Sequence, residues 1–118
     1  MSTLKVNTLE EATSGGATYF TAKAWVNFNG TGTVAIRYEG NVSSITDNNL
    51  GDYTANFSNS LSVDNPAVSE SYTNEVSSQH TNGYLSSLSA SAVRFQHYNS
   101  ANSGNRVDKG TVCYIAIA

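Results

Sequence analysis

One cysteine, one proline and two histidines in 118 residues leave little room for the chemistries that depend on them. A lone Cys113 excludes an internal disulfide, so stability has to come from packing, hydrogen bonds or partner chains. His80, His97 and Cys113 are too few for a histidine or cysteine cluster, no C-x-x-C or H-E-x-x-H spacing occurs, and no metal or cofactor is expected. Charge is also scarce, at 13% of residues against a usual share of about 25%. The six basic residues, Lys5, Lys23, Arg37, Arg94, Arg106 and Lys109, form no run, and the net charge is −3. Nucleic-acid binding, which needs clustered Lys and Arg to displace counterions, is therefore not expected. No stretch approaches the roughly 18 apolar residues of a membrane span. The opening MSTLKVNTLEEATSGG lacks the apolar middle of a secretory signal, so a soluble product without membrane insertion is expected.

What the chain has instead is neutral polarity, dominated by Ser, Thr and Asn, which suit turns and the wet faces of strands. Its length fits a single compact domain. Residues 1–16 read as an N-terminal arm and hinge: Leu4, Val6 and Leu9 stand in a polar setting, and Ser14-Gly15-Gly16 interrupts both helix and strand. So few apolar groups cannot fold alone, and the arm is expected to become ordered only against another chain.

From Ala22 the apolar period becomes two. Ala24, Val26 and Phe28 alternate with Trp25 and Asn27, and Val34 and Ile36 with Thr33, Ala35 and Arg37, which predicts a hairpin turning at Asn29-Gly30, with Gly32 giving room for a longer loop. A strand over 42–46, a polar loop over 47–51 and a strand over 53–58 follow. Pro66 and the residues after it predict an edge strand over 68–73. The segment 84–99 reads two ways: Leu85, Leu88 and Ala92 have helical spacing, but Val93, Phe95 and His97 alternate with Arg94, Gln96 and Tyr98. The alternation favours a strand over 90–99 and leaves 84–89 open. Residues 99–110 read as a loop, and TVCYIAIA as a last strand with both faces covered, central in its sheet or at an interface. The expected fold is all-β, an antiparallel β-sandwich or barrel-like knob over residues 17–118.

The candidates for chemistry are few. Cys113, among apolar strand residues, reads as a small core side chain. The segment 46–52, TDNNLGD, gathers oxygen ligands of the kind calcium prefers but fails the EF-hand pattern, and a turn between strands explains it better. The carboxylates show no paired arrangement of the kind used for glycoside hydrolysis. Seven tyrosines in a Ser- and Asn-rich chain are the better lead, because flat amphipathic rings cover cores and also make contact surfaces. Tyr72, Tyr84 and Tyr98 are the candidates for a receptor or partner surface.

The string AWVNFNGTGTVAIR (24–37), then NVSSITD (41–47), GDYTANF (51–57) and the closing VCYIAI, resembles a domain of tail-fibre and other virion proteins of tailed bacteriophages. The opening STLKVNTL resembles the start of such proteins. The resemblance implies a non-enzymatic virion component, made in the host cytoplasm and assembling as a homotrimer. Leu4, Val6 and Leu9 of the arm would dock it to other virion proteins, and the β-domain would contact a host surface glycan or protein. The leading expectation is a short tail fibre. The alternative is a capsid decoration or cement protein, and a small polysaccharide hydrolase is a weaker third.

Overall fold

Alternation decides which side chains meet. In β1 (Ala22–Asn29), Ala24, Val26 and Phe28 point to one side and are buried, while Lys23 and Trp25 stay open on the other. The computed structural model describes residues 2–6, 8, 22–73, 81–99 and 105–117. These contain nine strands and no helix: β1, β2 (Ala35–Gly40), β3 (Val42–Asn49), β4 (Asp52–Phe57), β5 (Ala67–Tyr72), β6 (Thr81–Leu88), β7 (Ala92–Asn99), β8 (Asn105–Arg106) and β9 (Val112–Ile117). All pairings are antiparallel. One sheet has the order β2-β1-β9-β5, and the other β3-β4-β7-β6 with the short β8 beside β7.

The two sheets share one core. Ala24, Val26, Phe28, Val112, Tyr114 and Ala116 of the first meet Val42, Tyr53, Ala55, Val93 and Phe95 of the second. Phe28 lies edge-on to both Tyr53 and Tyr114, with centroids 5.2 and 5.4 Å apart. Such pairs contribute about 0.5–1.5 kcal/mol each beyond area burial. The chain passes from the first sheet to the second at Asn41, the only residue between β2 and β3, with a φ of 58°. Asn tolerates that conformation, and here its side chain also holds the corner. Nδ2 donates to Lys23 O and Asn59 O, each at 3.0 Å, while Oδ1 accepts from Asn59 N at 2.8 Å.

Several local expectations change. The β1–β2 turn is not at Asn29-Gly30: β1 includes Asn29, the connection runs over 30–34, and Gly32 carries the positive φ of 60°. Gly30 is needed for a different reason, since the Tyr53 ring and Lys109 O occupy the space a Cβ would take. The polar loop expected over 47–51 shrinks to Leu50-Gly51, because Asp47, Asn48 and Asn49 continue β3 at the sheet edge. Polar residues are tolerated there, where the strand has only one partner and water on its free side. Residues 84–88 are strand, the end of β6. A bulge between Leu85 and Ser87 lets Leu85 pair with Phe95 and Leu88 with Val93 on the same face, so three-residue spacing arises without a helix. The stretch expected as a loop after Asn99 contains β8.

Two other strands sit as expected in their sheets. β5 pairs only with β9 and is an edge, and β9 is central, between β1 and β5. The outer face of β9 is nevertheless open, with Ile115 and Ile117 about two-fifths exposed. Cys113 lies on that outer face, half-buried, and not in the core. The hinge at 14–16 and the start of the β-domain at 17–21 lie outside the described residues.

At one end of the core a polar cluster joins the sheets. The Tyr53 hydroxyl lies 2.8 Å from both Gly30 O and Asp108 Oδ1, and Asp108 Oδ1 also accepts from Gly51 N at 2.8 Å. His97 on β7 is fully buried; its Nε2 lies 2.8 Å from Glu70 Oε2 on β5 of the opposite sheet, and its Nδ1 3.2 Å from Gly51 O. Gly51, at a φ of 62°, is required because Val107 O and N would strike a Cβ there.

Burial, reinforced by the Asp108 carboxylate, raises the pKa of Tyr53, and burial raises that of Tyr114. A group whose pKa is raised on folding stabilises the fold below its unfolded value, here about 10, and that contribution is lost as pH rises above it. Alkaline titration should therefore show Tyr53 and Tyr114 ionising only together with loss of the β-sheet circular dichroism signal. Tyrosinate absorbance recorded beside that signal checks this; smooth ionisation of all tyrosines in a folded protein would contradict it.

Candidate functional site

The outer face of the second sheet is built by the alternate positions of its strands. β4 contributes Asp52, Thr54 and Asn56, and β7 contributes Arg94, Gln96 and Tyr98, opposite neighbours whose partners Tyr53, Ala55, Val93 and Phe95 fill the core. β6 adds Tyr84, in register with Gln96, and β8 adds Arg106, in register with Tyr98. Ser44, Thr46 and Asn48 of β3 extend the face. No aliphatic side chain larger than Ala92 is placed here by β3, β4 or β7.

Asp52 organises this surface. It is fully buried, and a buried carboxylate is stable only when paired and hydrogen-bonded. Arg94 donates Nε to Oδ1 at 2.7 Å and Nη2 to Oδ2 at 2.6 Å. Gln96 Nε2 reaches Oδ2 at 2.8 Å, Asn48 Nδ2 reaches Oδ1 at 3.3 Å, and Arg106 Nη1 stands 3.4 Å from Oδ2. The Arg94 hydrogen bonds, against the opposing effect of burial, hold the Asp52 carboxyl below its usual pKa.

Beside the carboxylate stands an aromatic stack. Tyr84 and Tyr98 lie nearly parallel, 7° apart with centroids separated by 5.0 Å, and the Arg106 guanidinium covers Tyr98 at 5.6 Å. The Tyr98 hydroxyl donates to Gln96 Oε1 at 3.1 Å and accepts from Arg106 Nε at 3.3 Å. The neighbouring Tyr84 hydroxyl, and then the hydrogen bond from Arg106, lower the pKa of Tyr98, while the Tyr98 hydroxyl raises that of Tyr84. Hydrogen bonds and stacking thus fix the order Tyr84, Tyr98, Arg106 across the face. Half of Tyr84 remains open to solvent.

Of the three candidate tyrosines, the fold brings Tyr84 and Tyr98 together and places Tyr72 elsewhere. Tyr72 is turned inward, where its ring meets His97 edge-on at 4.9 Å and its hydroxyl accepts from Gly83 N. Leu4 and Val6 are exposed, 86% and 59%, on a segment without regular structure; Leu9 and His80 lie outside the described residues. His97 is sealed in the core, and Cys113 faces away from it on the outer side of the first sheet. In the segment weighed for calcium, Asp52 is engaged by Arg94, and among the described residues no group of three or more His, Cys, Asp or Glu side chains is placed to hold a metal.

The other outer face has the opposite character. On β2-β1-β9-β5, Trp25, Tyr38, Cys113 and Ile115 line an apolar hollow of about 620 Å³, with Ser69 and Ser71 at its border. The Trp25 indole lies over Gly40, where any side chain would displace it. Sequence reading missed Asp52 and both arginines as site residues. The signal was there, in the alternation of Arg94, Gln96 and Tyr98 with core residues.

Comparison of the chain with protein-family models, with curated proteins and with solved structures finds no match.

A carboxylate whose pKa is depressed on folding stabilises above its unfolded value, near 3.8, and its contribution is lost as pH falls through the lower folded value. Asp52→Asn should lower stability at neutral pH by about 1.5–3 kcal/mol, the range of hydrogen bonds to a charged group. Its stability should also fall less steeply than that of the wild type below about pH 4. Denaturant melts across acidic pH check both; parallel pH profiles for the two proteins would contradict the assignment.

Proposed function

We propose that this chain is a non-catalytic structural component of a bacteriophage virion, a short tail-fibre subunit that associates as a homotrimer and contacts the host surface. The observation that carries this reading is the contrast between the two outer faces. The first sheet presents an open apolar hollow around Trp25, Tyr38 and Ile115, suited to burial between protomers. The second presents stacked tyrosines, arginines and side-chain amides, which suit a hydrated, polar ligand. With Leu4 and Val6 exposed on a segment outside the strands, the N-terminal arm is the part left to dock with other virion proteins. The resemblance of residues 24–37, 41–47 and 51–57 to phage tail-fibre domains supports the same division.

Sedimentation velocity should give three times the 12.5 kDa chain mass, and Ile115→Lys should give a folded monomer. A wild-type monomer at every concentration would remove the homotrimer from the reading. Deleting residues 1–16 should leave the trimer intact and abolish its incorporation into particles; normal incorporation would remove the docking role of the arm. Copy number in the particle separates the two virion positions. A stoichiometry matching the tail supports the fibre, and one matching the capsid lattice replaces it with a decoration protein.

A further inference from the structure

The geometry points to an acidic saccharide as the ligand of the second sheet's outer face, its carboxylate held by Arg106 and its ring packed on Tyr84. This deepens the proposed function and rests on its assignment of that face to surface contact.

Among the described residues, Asp52 is the only carboxylate on this face, and two guanidiniums stand against it, leaving one positive charge uncompensated on a chain whose net charge is −3. Glu70 and Asp108 are turned inward to His97 and Tyr53, and Asp47 pairs with Tyr53 on the inner side of its strand. Asp52 is saturated by Arg94, Gln96 and Asn48, so the remaining charge belongs to Arg106.

Arg106 is held in place before any ligand arrives. Nε of Arg106 is anchored on the Tyr98 hydroxyl and Nη1 stands 3.4 Å from Asp52, while Nη2 meets no acceptor among the described residues. The side chain is about one-third exposed and its plane is held over the Tyr98 ring. A guanidinium fixed in this way offers its fork to a carboxylate with less rotamer entropy to lose.

The groups around Arg106 favour a sugar over an acidic peptide. Among the described residues of β3, β4 and β7, no aliphatic side chain larger than Ala92 stands on this face to receive a peptide anchor. The face offers instead the open ring of Tyr84 and a bed of neutral groups, in which Asn56 Nδ2 binds Ser44 Oγ and Thr46 Oγ1, and Asn48 Nδ2 binds Thr54 Oγ1. Those hydroxyls keep donors and lone pairs for a hydroxyl-rich ligand.

The test titrates the full chain with three probes: oligogalacturonate, its fully methyl-esterified form, and polyglutamate, each followed by calorimetry and by the amide NMR signals of β6, β7 and β8. Oligogalacturonate should bind, with affinity falling as salt rises. Esterification should abolish binding, and Arg106→Gln and Tyr84→Ala should each weaken it about tenfold, with the β-sheet circular dichroism signal retained at the titration temperature. Tyr84→Phe should retain it. Equal binding of the methyl ester overturns the anionic class and leaves a neutral glycan. Equal binding of polyglutamate overturns the saccharide in favour of an acidic peptide. No binding to any probe, or binding indifferent to Arg106 and Tyr84, overturns the site. Because the isolated chain is titrated, none of these results bears on copy number or particle incorporation, which test the virion role separately.

Discussion

A carboxylate removed from water must be met by donors, and Asp52 imposes that requirement on everything around it. Its side chain lies at the start of β4, directly after the Leu50-Gly51 turn, where it faces Gln96 across the strand pair. Satisfying it draws Arg94, Gln96 and Asn48 into fixed positions, and Gln96 in turn orients the Tyr98 hydroxyl. The arrangement of the outer surface therefore follows from a buried charge in the sheet. The turn that delivers Asp52 is itself fastened from the inside, since Gly51 bonds Asp108 through its N–H and His97 through its carbonyl. The core end and the outer face are two sides of one construction.

Much of the fold was legible because β-structure has the shortest period in proteins. The stretches VNF and AVRFQHY alternate cleanly, and each became a strand with Val26 and Phe28, or Val93, Phe95 and His97, turned inward; VCYIAI, apolar throughout, also became a strand, but only Val112, Tyr114 and Ala116 face the core, and Cys113 stands on the open outer side. Legibility failed where a bulge or an edge altered the period. The bulge between Leu85 and Ser87 disguises a strand as helical spacing. The run Asp47, Asn48, Asn49 has the composition of a loop but continues an edge strand. Gly30 looked like a turn residue and is instead the floor under the Tyr53 ring, a role set by a residue 23 positions away.

The candidate site was legible only in part, for a related reason. Tyr84 and Tyr98 could be nominated as aromatic residues in a polar chain, but their stacking depends on a diagonal register between β6 and β7 that no local pattern fixes. Tyr72 has the same composition around it and faces the core, because β5 turns Val68, Glu70 and Tyr72 inward together. Glu70 on that strand spans to His97, so an inward carboxylate and an inward histidine, each unpromising alone, become a tie between sheets. The fold thus separates its chemistry by side: an apolar outer surface on one sheet, a polar aromatic one on the other, and a mixed interior between them.

The chain has a single tryptophan, and the fold sets it on the rim of the apolar hollow, 42% exposed and flat against Gly40. Its indole emission is consequently a built-in optical gauge of that one side of the molecule. A shift of the fluorescence toward shorter wavelength reads the covering of the first sheet without any label, while ligands engaging the opposite side leave the spectrum unchanged.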